Sequence, residues 1–162
     1  MLGRVILLCV LLAGCTGGLG GPVVFNDGKN QQYFTKGTVS LGGRVPVSVF
    51  GTVPGDDTAG FVGILKTPGY QPSAAFELAD DTTGAPGMRF VFAFGVADNT
   101  RLCTRPAAGR DPGLVAAALC NGTDIVTRAT LRLGGASLEN AIPSLMRTLL
   151  PRPTRTNNDS SN

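Results

Sequence analysis

The chain has 162 residues, 43% of them hydrophobic, with 14 Lys plus Arg against 11 Asp plus Glu, a composition that suits one globular domain with one modest core. Charged residues make up only 15% and glycines number 23, against roughly 25% and roughly 7% in soluble domains, so the surface is expected to be neutral and rich in turns. Absence of His removes the commonest general base, the commonest zinc-ligand type and the Ser-His and Cys-His nucleophile pairs. A net charge of +3 excludes the concentrated basic surface of a nucleic-acid binder.

At the amino terminus Met1-Leu2-Gly3-Arg4 is a short basic start, residues 5–12 are an unbroken apolar run, and Ala13-Gly14-Cys15 follows with small residues. That order is the pattern of an export signal. A spanning helix needs roughly 20 apolar residues, and this run stops well short, so it does not read as a permanent transmembrane anchor. Leu12-Ala13-Gly14-Cys15 resembles the lipobox of bacterial lipoproteins, a likeness confined to the first 15 residues. The resemblance implies that residues 1–14 leave as a signal peptide and that Cys15 becomes a diacylated, usually also N-acylated, first residue. Two or three acyl chains, at roughly 0.8 kcal/mol per buried methylene, anchor a protein without spanning the bilayer. Thr16 stands where similar lipoproteins kept at an inner membrane carry Asp, which implies delivery to the outer membrane of the envelope.

Residues 15–22 then read as the lipidated Cys and a Gly-rich tether, residues 23–150 as a single domain, and residues 151–162 as a disordered tail with no apolar side chain apart from its prolines. Within the domain, period-two alternation between turn signals predicts strands. Residues 38–41 and 44–50 around Gly42-Gly43 read as a hairpin, with Pro46 pushing the second strand toward a sheet edge. After a turn at Pro54-Gly55-Asp56-Asp57, residues 61–66 and, more weakly, 75–78 read as strands. Residues 89–94 read as a central strand covered on both faces. Asp111 as N-cap, Pro112 at the first helical position, an Ala-rich run and Asn121-Gly122 as a stop predict a helix. Residues 124–133 alternate, with Ile125, Ala129, Leu131 and Leu133 on one face and Arg128, Thr130 and Arg132 on the other. Residues 137–150 carry a helical apolar stripe, expected to be regular from Asn140 or Ile142 because of Pro143. Strands first and helices later argue for an α+β fold, an antiparallel strand-rich sheet with two short helices packed on it. A mainly β sandwich or barrel is the alternative.

With Cys9 lost in the leader and Cys15 consumed by lipid, Cys103 and Cys120 remain. In an oxidising compartment two thiols make a disulfide, here expected to join a short strand at 100–103 to the last turn of the Asp111 helix. For catalysis the pool is small: Glu77, Asp80 and Asp81 are the candidate acid and base of a cell-wall glycoside hydrolase, set against their reading as a strand end running into an acidic turn. The reading that results is an envelope lipoprotein that binds or scaffolds without catalysis, cofactor or metal. Its partners would be the membrane through its lipid, and another envelope protein or the cell wall. Hydrolysis by the carboxylates is one alternative. Carriage of a small apolar ligand between the sheet and the last helix is the other.

Overall fold

The computed structural model describes residues 21–30, 43–68, 74–80 and 85–150. The leader, Cys15, most of the tether, the strand expected at 38–41, Asp81 and the tail from Pro151 lie outside them. Six strands, β1 (Val23–Lys29), β2 (Arg44–Phe50), β3 (Ala75–Leu78), β4 (Met88–Gly95), β5 (Asp111–Asn121) and β6 (Asp124–Arg132), form one sheet in the order β1-β6-β5-β4-β2-β3. Among the described residues two helices, α1 (Thr58–Gly63) and α2 (Leu138–Leu149), accompany it. The α+β class holds. The expectation of a wholly antiparallel sheet does not: β2 runs parallel to both β3 and β4, while the other three pairs are antiparallel. A crossover through α1 returns the chain to the starting end before β3, which a tight hairpin cannot do. The strands lie in a single open sheet with β1 and β3 at its edges, so neither sandwich nor barrel forms.

One face of the sheet carries the main core. Phe90, Phe92 and Phe94 of β4 point to it together with Val115, Ala117 and Leu119 of β5, and Leu145, Met146 and Leu149 of α2 close over them. The other face is smaller and is covered by the loop at 96–110, with Leu102 and Cys103 against Val91, Ala93, Ala116, Ala118 and Cys120. Strand β4 is thus buried on both sides, as its run of apolar residues predicts.

Five local expectations are corrected. The segment from Asp111 is the longest strand, β5, and not a helix. Its alanines are paired on both sides: Ala117 faces Phe92 in β4 and Ala129 in β6, and the small side chains of Ala117 and Ala129 leave room for the Phe92 ring. The Asp111 carboxylate accepts from the Gly113 amide at 2.9 Å, a turn rather than a helix cap. Residues 61–66 are not a strand. Asp57 caps α1 by accepting from the Gly60 amide at 2.7 Å, and Phe61 drops edge-on against Phe92 and Phe94 with centroids 5.0 and 5.2 Å away.

Strand β2 is not an edge strand either. It is staggered: residues 44–47 pair with β3, and pairing with β4 begins only at Val47, so Pro46 lies where no β4 partner awaits its missing amide. Finally, Ile125 does not share the face of Ala129. Leu119 pairs with Thr127 and Cys120 with Ile125, which leaves Val126 as the extra residue of a bulge; Val126 enters the main core and Ile125 packs on the second face. Helix α2 starts at Leu138 after Ser137, earlier than Pro143 suggested. Proline there deprives only the Glu139 carbonyl of its bond, and Glu139 is exposed.

Candidate functional site

Of the candidate acid and base residues, Glu77 and Asp80 lie among the described residues, and both are exposed. Glu77 is exposed on edge strand β3, with its carboxylate 3.4 Å from the Arg44 guanidinium, and Asp80 is exposed in the bend that follows. Neither lines a cleft described below, and Asp81 lies outside the described residues. The space proposed for a carried ligand, between sheet and α2, is filled by Ile142, Leu145, Met146 and Leu149, each 0% exposed.

Cys103 and Cys120 do form a disulfide, with Cα atoms 5.6 Å apart. The bridge differs from expectation in what it joins: Cys103 sits in a turn within the 96–110 loop and Cys120 near the end of β5. Both are buried in the second core. The bridge therefore pins a covering loop onto the sheet.

Sequence reasoning missed the polar group beside it. Arg89 is 2% exposed, and its guanidinium donates to the carbonyls of Ala85 at 2.9 Å, Gly122 at 2.7 Å and Cys103 at 2.7 Å. A cation in that place joins the β4 start, the β5–β6 turn and the disulfide loop through charge-assisted bonds. An Arg opening an apolar strand was the available signal. A second polar knot secures the other side of the loop: Asn99, 4% exposed, donates to the Asp27 carboxylate and, at 3.1 Å, to the Thr130 hydroxyl. That hydroxyl lies 2.8 Å from the same carboxylate and 3.1 Å from the Ala97 carbonyl. These are structural ties between β1, β6 and the loop.

The concave surface lies at the end of the sheet where β2 and β4 finish and β5 begins. A cleft of about 870 Å³ is lined there by Val53, Phe94, Pro112 and Leu133, with Asp56, Arg110 and Asp111 among its polar residues. Its shape depends on backbone that approaches backbone. Gly95 has φ +85°, and a Cβ there would stand 2.4 Å from the Gly109 carbonyl, so only Gly lets the end of β4 meet the end of the loop. On the far side a Val53-Pro54-Gly55-Asp56 turn, closed by the Asp56 amide to the Val53 carbonyl at 2.8 Å, has Gly55 at φ +85°, as a type II turn requires. The same turn borders a second cleft of about 470 Å³ that reaches Phe61, Ile64 and Leu138. An apolar floor with a few charged groups at the mouth is suited to binding. Among the described residues no three His, Cys, Asp or Glu side chains are placed to hold a metal ion, and no helix is long and apolar enough to cross a membrane.

Comparison with protein families, with curated proteins and with solved structures finds no match to this chain.

Proposed function

We propose that this protein is a lipid-anchored component of a bacterial envelope, exported, acylated at Cys15 and acting as a binding or scaffolding module without catalysis of its own. The observation that carries the proposal is the Cys103–Cys120 disulfide. A buried bridge of this kind persists in oxidising compartments, which supports reading the apolar start as an export leader. Of the two remaining thiols, Cys9 lies within the leader and Cys15 is the residue that the lipobox resemblance needs. The cleft at the end of β2 and β4 supports the binding role, since its volume is within the roughly 300–1,000 Å³ of small-molecule and peptide sites. Outer-membrane delivery through Thr16 is the finer part of the proposal.

Mass spectrometry of the membrane fraction tests it. The expected product begins at Cys15 and carries two or three acyl chains, and Cys15→Ser abolishes acylation and releases no such species. A mature chain that begins elsewhere, or begins at an unmodified Cys15, overturns the anchor. Mild crosslinking in the host separates the roles. Capture of an envelope partner by wild-type chain, lost in Arg110→Glu at the mouth of the cleft, is expected of a binding module.

A further inference from the structure

Edge strand β1 presents an apolar strip with nothing packed on it among the described residues. Val24 turns inward to the main core, while Val23 and Phe25, on the opposite face, are 45% and 50% exposed. Strand β6 borders them with basic side chains. Val23 pairs with Arg132 and Gly28 with Arg128, and alternation along β6 sends Arg128, Thr130 and Arg132 to the same face as Val23 and Phe25. Arg132 is exposed and Arg128 half-buried, its Nε donating to the Asp27 carbonyl at 3.2 Å. The loop that covers this face adds Arg101 and Arg105, which line a hollow with Asp98. Asp98 experiences the charges of both Arg101 and Arg128, so loop and strand contribute to one basic surface. The other carboxylate on this face, Asp27, is already engaged by Asn99 and Thr130.

We propose that this face, Val23 and Phe25 flanked by Arg128 and Arg132, docks on the anionic headgroups of the bilayer that holds Cys15. The inference rests on the lipid anchor proposed above. Residues 16–22 separate Cys15 from Val23, a path of eight Cα steps. At no more than about 3.6 Å per residue they keep the strip within about 29 Å of the acylated end, and on average within about 15 Å for a flexible tether. Docking in this way combines an aromatic side chain at the interface with arginines that favour an anionic surface. It also sets the end of the sheet that carries Val23 and Arg132 against the membrane and restricts the tilt of the domain.

The chain has no Trp, so Phe25→Trp supplies a single fluorescent reporter. The acylated full-length protein carrying it is reconstituted in vesicles of phosphatidylcholine, with or without about one third phosphatidylglycerol, in which the acyl chains are brominated. Bromine quenches only near contact. The expected result is at least threefold more quenching with the anionic lipid, falling to the phosphatidylcholine level in Arg128→Glu/Arg132→Glu and in high salt. Leu78→Trp, an exposed apolar site on the opposite edge strand, is expected to stay unquenched. A reporter at position 25 that stays unquenched in an acylated, natively unfolding protein overturns the docking and leaves the anchor standing. A blue-shifted but unquenched signal with crosslinked dimers assigns the strip to a second copy instead, and also overturns it. Absence of acyl groups on Cys15 removes the anchor and, with it, this inference.

Discussion

Arg89 and Asp98 show how single charged residues set the behaviour of the 96–110 loop. Three backbone carbonyls converge on the Arg89 guanidinium, and truncation leaves them in a place that water reaches poorly. Arg89→Met keeps the apolar stem and removes the donors; it is expected to lower stability by about 3–5 kcal/mol in urea unfolding. A loss under about 1 kcal/mol would mean that the carbonyls find other donors. Asp98 is exposed, and the Thr100 hydroxyl at 2.7 Å and the Thr100 amide at 2.9 Å hold its carboxyl below the ordinary value of 3.8, with Arg101 and Arg128 adding to the effect. A lowered native pKa stabilises above the unfolded value and is lost as pH falls through the native one. The turn at 98–100 is therefore intact at neutral pH and loosens below about pH 3.8. Amide exchange at Thr100, followed from pH 6 down to pH 2.5 and corrected for intrinsic rates, should show that loss of protection, and Asp98→Asn should flatten the profile.

Elements were misread where neighbours decide what the chain does. The Ala-rich run of β5 has strong helix propensity, yet Ala117 sits beside the Phe92 ring on one face, Ala116 and Ala118 lie in the second core on the other, and all three are 0% exposed between two strands. Ala117→Leu distinguishes the two conformations. Leu forms helix nearly as well as Ala, so an exposed helical site would accept it, whereas overpacking against Phe92 and Ala129 is expected to cost about 1–3 kcal/mol, seen as a lower urea midpoint at unchanged slope. Helix α1 is the converse case. Phe61, Val62 and Ile64 favour strand, but Asp57 supplies a cap and the Phe92 and Phe94 edges supply a socket. Covering the second face depends on the disulfide. Its sequence separation of 17 corresponds to about 3 kcal/mol in the chain-entropy account. Reduction, or Cys103→Ser with Cys120→Ser, should lower stability by that order, and exchange should rise first in the 96–110 loop.

At the scale of the whole sheet, strand directions place Val23 and Leu149 toward opposite ends. Val23 pairs with Arg132, at the end where β6 finishes and β5 begins, and the 870 Å³ cleft opens at that same end. Helix α2 runs back along the sheet, and the Leu149 carbonyl accepts from the Thr127 hydroxyl near the other end. If the domain is anchored through Cys15 as proposed, its cleft stays near the bilayer while Leu149, the β5–β6 turn and the disulfide point away from it. Energy transfer from a membrane dye is expected to be several-fold stronger to a label at Gly134 than to one at Thr123. Equal transfer would show that the domain lies flat or tumbles freely on its tether.

Patterns local to a few residues were legible without coordinates. Strands β4 and β6 announce themselves by continuous or alternating apolar residues, α2 by its stripe, the Pro54-Gly55 turn by its residue types, and the Cys103–Cys120 pair by the two thiols left once Cys9 and Cys15 are read as part of an export signal. All of these depend on the chemistry of the segment itself. What the tertiary structure decided was everything set by residues distant in sequence: that alanines become a central strand beside phenylalanine rings, that Phe61 sits on a helix, that β2 lies between two parallel neighbours, and that Arg89 is buried among carbonyls. Packing volume and the pairing of polar backbone are properties of neighbours, and neighbours exist only once the chain has folded.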